Sequence, residues 1–199
     1  MLNIAVLVSG GGTNLQALIN SEKRGELSGG KISLVISSSP TAYALERASA
    51  AGIKTVVLPR KEYPCAGDFD KALASILMQH EVGLVVLAGF LCILGKETLT
   101  AYERRIINVH PSLIPAFCGD GFYGLRVHEA VLKKGVKLTG ATVHFVTDIV
   151  DGGEIILQKA VEVLPDDTPE LLQRRVMEEA EWEILPKAVA KFIKEANAK

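Results

Sequence analysis

The run Leu2-Asn3-Ile4-Ala5-Val6-Leu7-Val8-Ser9-Gly10-Gly11-Gly12-Thr13-Asn14-Leu15-Gln16-Ala17-Leu18-Ile19 decides the fold. Residues 2–8 are nearly all apolar, the pattern of a strand buried on both faces of a parallel sheet. Beyond the glycines the spacing changes. Leu15, Leu18 and Ile19 recur at helical intervals, and Thr13 or Asn14 is placed to cap the helix. Strand, glycine-rich turn and helix together open a doubly wound α/β sheet, in which ligands sit beyond the carboxyl ends of the strands. Three glycines let a ligand approach the backbone, and the helix start offers unpaired N–H groups and a positive dipole end. The turn therefore reads either as a phosphate cradle or as a merely structural tight turn. It is not a dinucleotide fingerprint, because Leu15 occupies the last required glycine position. It is not a Walker loop, because no Gly-Lys-Ser/Thr follows.

The alternation continues outward. Lys31–Ser37, Lys54–Leu58 and Leu84–Leu87 read as strands, with helices predicted over Thr41–Ala51 and Phe69–His80. This βαβαβαβ order predicts an α/β fold: a doubly wound, mostly parallel sheet with helices on both faces. The second half is less regular. Arg105–Val109 is a short strand running into His110-Pro111, followed by a Gly-, Pro- and aromatic-rich loop from Ser112 to Gly124. Val127–Lys134 reads as a helix, and Thr139–Val146 and Glu154–Val163 as strands. Asp167-Thr168-Pro169-Glu170 is a strong helix start with Asp167 or Thr168 as cap, and the helix it opens runs to about Ile193. No linker or repeat interrupts the pattern, so residues 1–199 are expected to form one domain.

Composition narrows the function classes. Of 199 residues, 48% are hydrophobic and 23% charged, and the net charge is −1. Such a balance excludes a disordered chain and gives no grip on a polyanion, so nucleic acid is not an expected partner. The longest apolar stretch, Val82 to Leu94, falls short of the ~20 residues of a membrane span. Cys65, Cys92 and Cys118 fit neither a disulfide framework nor a zinc knuckle, and no Cys/His/Asp spacing suggests a metal. The expected setting is the reducing cytoplasm.

Two further segments carry chemistry. In Asn108-Val109-His110-Pro111, strand alternation puts Asn108 and His110 on one side. The amide can donate to a developing oxyanion and the imidazole can trade protons near neutral pH. Alternatively, His110 only caps its strand. In His144-Phe145-Val146-Thr147-Asp148-Ile149-Val150-Asp151-Gly152-Gly153, either acid can orient a histidine, or both can be turn acids bonding their own backbone. His144, on one strand face with Thr142, reads as a hydrogen-bonded structural histidine. For His128, surface and substrate-rim roles are both open. Cys118 has no motif that would make it a nucleophile.

Taken together, NIAVLVSGGGTNLQALI (3–19), VVLAGFLCIL (85–94), INVHPSLIPAF (107–117) and TGATVHFVTDIVDGGEIILQ (139–158) resemble the phosphoribosylglycinamide formyltransferases over nearly the whole chain. NVHPSLIP is shared with the wider group of formyltetrahydrofolate-using enzymes; SGGGTNLQAL narrows the match. The resemblance implies transfer of a formyl group from 10-formyltetrahydrofolate, a co-substrate, to the glycinamide amine in purine synthesis. No tightly bound cofactor and no metal is implied. Small molecules would be the only required partners, with the enzyme a monomer or homodimer. The resemblance assigns Gly12, Thr13, Asn14 and Glu181 to the ribonucleotide, and Leu91, Cys92, Ile93, Leu94 and Asn108 to the folate. It assigns catalysis to Asn108, His110 and Asp148, with Asp148 holding a protonated His110. An arginine expected to reach the folate tail is replaced by Ala66, near Arg60 and Lys61, and the 118–124 loop is longer than in some members.

Overall fold

β1 (Leu2–Val8) lies in the middle of the sheet, with Ile4, Val6 and Val8 packed on one face and Ala5 and Leu7 on the other, all fully buried. This two-sided burial is why the run shows no polar alternation. The computed structural model describes residues 1–198. Its seven strands add β2 (Gly30–Ser37), β3 (Lys54–Val57), β4 (Leu84–Leu87), β5 (Ile106–His110), β6 (Leu138–Phe145) and β7 (Ile155–Glu162), in the order β3-β2-β1-β4-β5-β6-β7. The first five run parallel; β6 is antiparallel to β5 and β7 to β6.

The helices cover both faces. On one, Leu15, Leu18 and Ile19 of α1 (Thr13–Lys23) join Ala44 and Ala48 of α2 (Tyr43–Ala50). Leu172 and Val176 and then Leu185 and Val189, from the C-terminal helices, complete that face. On the other, Phe69, Leu73 and Leu77 of α3 (Ala66–Gln79) pack under Leu34, Ile36 and Tyr102. The chain passes from β1 outward to β2 and β3, then returns past β1 to β4. That reversal opens a crevice at the carboxyl ends of β1 and β4, where an open α/β sheet binds ligands.

Local structure departs from the sequence reading in three places. The residue ahead of α1 is Gly12, not Thr13 or Asn14, and it has φ +70° and no side-chain cap. A Cβ there would lie 2.6 Å from that of Ala44, so the close seating of α2 also requires glycine. Second, a short helix, α4 (Lys96–Ala101), is not evident from periodicity. A distant residue secures it. The Asp70 carboxylate, on α3 and 2% exposed, accepts the N–H groups of Gly95 and Glu97 at 2.9 Å and of Thr98 at 3.3 Å. Third, the C-terminal helix, capped by Thr168 as the sequence suggests, is not uniform. α6 (Pro169–Val176) passes through a widened π turn, Met177–Glu181, into α7 (Trp182–Asn197). Pro186, one turn on, has no N–H to give the Trp182 carbonyl, so regular bonding fails in this region. α5 (Leu125–Lys134) completes the set.

Asp70→Ala leaves three backbone N–H groups without their acceptor. Urea unfolding of this variant is expected to show a loss on the order of 2–4 kcal/mol; a loss below ~0.5 kcal/mol would contradict the clamp.

Candidate active site

A cleft of about 530 Å³ opens beyond β4 and β5. Its inner end is made by strand pairing. The β5–β6 register sets Asn108 opposite His144 and His110 opposite Thr142. His144 Nδ1 lies 2.8 Å from the Phe145 carbonyl, which can only accept, so this nitrogen carries the proton. Nε2 is then the bare nitrogen, and it accepts from the Asn108 amide at 3.1 Å. One Asn108 hydrogen is thereby fixed and the second is left for the cleft.

His110 is held in a matching way. Nε2 donates to the Phe117 carbonyl at 2.9 Å, leaving Nδ1 3.5 Å from Asp151 Oδ2. The other Asp151 oxygen lies 3.5 Å from His144 Nε2, so one carboxylate faces both imidazoles. Gly119 N–H donates to Asp151 at 2.9 Å, which gives the 118–124 loop a defined part in the site. Asp151 sits at φ +54°, and a Cβ on Gly153 would fall 1.8 Å from the Phe145 carbonyl oxygen. The tight Asp151-Gly152-Gly153 turn is what returns the acid to the histidines.

The acid is therefore Asp151 and not Asp148. Asp148 lines the outer cleft but is exposed, and neither imidazole pairs with it. The reason is the turn: three residues on, the chain has reversed, and only the later acid points inward. The charge state assigned to His110 also changes. Burial pushes its pKa below 6.5 despite the opposing pull of Asp151 and the Phe117 carbonyl, so the imidazole is neutral at pH 7. Asp151 stays ionised. Burial opposes its charge, but the Gly119 N–H donated to it outweighs that and helps hold its pKa below the usual carboxylate range. Cys118 remains a thiol, raised by burial and by Asp151. His128 is not a rim residue: it is fully buried, its pKa pushed down to about 4 by burial and by His110.

The glycine-rich turn lies at the end of β1. Ala44 N–H donates to the Gly10 carbonyl at 3.1 Å and Arg47 Nε to that of Gly11 at 2.9 Å, so α2 ties these carbonyls back. The first amide of α1 to find a helical partner is that of Gln16, bonded to Gly12 O at 2.9 Å. Those before it are free for an anion. The Asn14 side chain does not face outward. It is buried and donates to Glu181 Oε2 at 2.5 Å. Thr13 Oγ1 rests 3.7 Å from Met177 Sδ. Glu181 sits on the π turn, a distortion that recurs at functional sites. Complete burial raises its pKa to about 7, with Asn14 acting against the rise.

Along the cleft, Leu91, Cys92, Ile93 and Leu94 form a ribbon after β4, with Leu91 66% and Ile93 77% exposed. Asn108 lines the same cleft. Ala66 does not line it; the Arg60 charge is felt at Cys92, on the ribbon. Among the described residues, no cluster of His, Cys, Asp and Glu forms a metal-binding group, the three cysteines are free, and no helix is long and apolar enough to cross a membrane.

A sheet of this order with an amide, an imidazole and an acid at its crevice defines a doubly wound α/β protein with a polar ligand cleft, and the comparisons with known proteins place it in a family. The profile of the formyl transferase family matches residues 2–189. The chain belongs to that family. It is 44% identical over 188 residues to the trifunctional purine biosynthetic protein adenosine-3 of Gallus gallus, covering 94% of this chain and 18% of that protein. It is 40% identical over 177 residues to the chloroplastic phosphoribosylglycinamide formyltransferase of Arabidopsis thaliana, covering 88% and 60%. Among solved structures, glycinamide ribonucleotide transformylase 1 from Symbiobacterium toebii superposes with a TM-score of 0.92 at 45% identity, covering 98% and 89% of the two chains.

The sequence missed His144 as part of the site and misplaced the acid. The two glycines after Asp151 were the available signal, since a glycine pair marks the point where the chain reverses.

Glu181 provides a pH test. Its native pKa, about 7, exceeds its ordinary value of 4.5, so the native state binds more protons between these pH values and stability falls as pH rises through this window. The contribution is roughly 3 kcal/mol. Urea unfolding at pH 5 and pH 8 should show Glu181→Gln losing much less stability with pH than the parent; equal losses would contradict the assignment.

Proposed function

We propose that the chain transfers the formyl group of 10-formyltetrahydrofolate to the amine of phosphoribosylglycinamide, a step of purine biosynthesis. One observation carries the reading: Asn108, His110 and Asp151 converge at the inner end of a cleft lined by the Leu91–Leu94 ribbon, and Ser9, at the head of the glycine turn, bonds that ribbon at Leu91. The names of the relatives support it.

On this reading the free amides of Gly12, Thr13 and Asn14 hold the phosphate, and Glu181 meets the glycinamide side. The apolar ring of the donor lies against Leu91–Leu94, with backbone groups reading its polar edge and Arg60, whose charge reaches Cys92, a cation for its acidic tail. Residues 1–199 work as one domain, as a monomer or homodimer in the cytoplasm, with the folate as co-substrate and no tightly bound cofactor.

The chemistry follows from the protonation states. The acceptor amine attacks the formyl carbon, whose oxygen gains negative charge. The free Asn108 hydrogen donates to it, and a positioned donor of this kind contributes ~3 kcal/mol. The amine must lose a proton as its new bond forms. Neutral His110, its Nε2–H engaged by Phe117, has only Nδ1 to accept it. The resulting imidazolium lies beside the Asp151 carboxylate, which stabilises it. The proton then passes to folate N10 as the formyl–N10 bond breaks, so neutral His110 is regenerated. Both substrates in one cleft supply proximity.

The direct experiment mixes the protein with both substrates and follows the deformylated folate by absorbance. Formylated ribonucleotide is the expected product; formate released without an acceptor would mark a hydrolase instead. In the same assay His110→Ala and Asp151→Asn should lower kcat by about 10²–10⁴. Asp148→Ala should stay within about threefold of the parent, and a reversed ranking of the two acids would contradict the geometry.

A further inference from the structure

The two substrate regions share one side chain. Ser9 is the last residue before the three glycines, and it also holds the donor-facing ribbon. Its N–H donates to Gly89 O at 3.1 Å, and its hydroxyl accepts the Leu91 N–H at 2.9 Å. That hydroxyl shares a 2.6 Å hydrogen bond with Ser38, just past β2, and Ser38 lies against the Cys92 thiol. Phe90, Cys92 and Leu94 pack toward the core while Leu91 and Ile93 project outward, so the Leu91 backbone is held here by the Ser9 hydroxyl. Its far end is fixed by the Asp70 clamp on Gly95. Thus the position of Leu91 depends on where the Ser9 hydroxyl sits, and Ser9 sits where the glycine loop places it.

We infer that Ser9 is a positioning residue that couples the two substrate sites, so that seating the acceptor's phosphate in the glycine loop sets the ribbon that receives the folate. The inference rests on the formyl-transfer reading above. An anion bound to the loop amides adds a constraint on the N–H side of a turn whose carbonyls are already tied back. This fixes Ser9, and the donor then binds a ribbon whose ordering is already done. Linkage makes the effect reciprocal: the folate must tighten acceptor binding by the same factor.

Calorimetry tests this with phosphoribosylglycinamide and tetrahydrofolate, which lacks the formyl group and cannot react. Each affinity is measured alone and with the other ligand saturating. In the parent each ligand should tighten the other by about fivefold or more. In Ser9→Ala the factor should fall below about twofold while the acceptor's own affinity changes little, and Ser9→Thr, which keeps a hydroxyl, should restore it. Kinetically, Ser9→Ala should raise the KM values with kcat at saturation nearly kept. Ser38→Ala removes the hydroxyl's partner without touching the loop. It should also reduce the factor, and it serves if Ser9→Ala does not fold. A parent factor of one, or one unchanged in Ser9→Ala and Ser38→Ala, would overturn the inference. Failure of the parent to bind the acceptor at all would instead overturn the reading beneath it.

Discussion

The antiparallel pairing of β6 on β5 is the constraint on which the site depends. In a purely parallel sheet the neighbour of β5 would reach the crevice and turn away into a helix. Here β6 ends beside Asn108, so His144 fixes the amide directly. The chain then reverses within a few residues and presents Asp151 to both imidazoles. The register thus orients Asn108, the adjoining Phe145 carbonyl sets the tautomer of His144, and the turn that follows supplies the partner of His110.

The rest of the molecule stabilises this arrangement from a distance. Thr142, also on β6, donates to the Ser112 carbonyl at 2.7 Å and accepts the Ile114 N–H at 3.0 Å. Gln158 on β7 bonds both Thr142 and the Ile114 carbonyl. These bonds hold the loop that delivers the Phe117 carbonyl to His110. Since that carbonyl can only accept, it keeps the proton on Nε2 and leaves Nδ1 as the base. Burial keeps His110 neutral, and Asp151 limits how far burial lowers its pKa. A base with this balance can take a proton during reaction without holding one beforehand.

Much of this was legible in the sequence. The two-sided apolar strands and helical spacings gave the doubly wound sheet. The glycine run at the end of β1 marks the turn into α1, and alternation puts Asn108 and His110 on one side, where both line the cleft. What escaped depended on contacts between distant residues. α4 is six residues long and depends on Asp70, so no local pattern announces it. Asp148 and Asp151 lie in one turn, and their separation comes from a reversal of direction that spacing along a strand does not predict. His144 looked structural because its hydrogen bonds are structural, yet the residue it orients faces the cleft. The charge of His110 depends on burial, which the sequence does not show, as well as on a nearby acid, which it does.

A neutral, Nε2-protonated His110 governed by Asp151 is the group on which the chemistry turns. Nitrogen-15 NMR of the histidine rings across a pH titration tests it most directly. His110 should show a pKa below 6.5 with the proton on Nε2 at pH 7, a further fall in Asp151→Asn, where the stabilising charge is gone, and no change in Asp148→Asn. A doubly protonated His110 at pH 7, or a pKa that follows Asp148 and ignores Asp151, would contradict it.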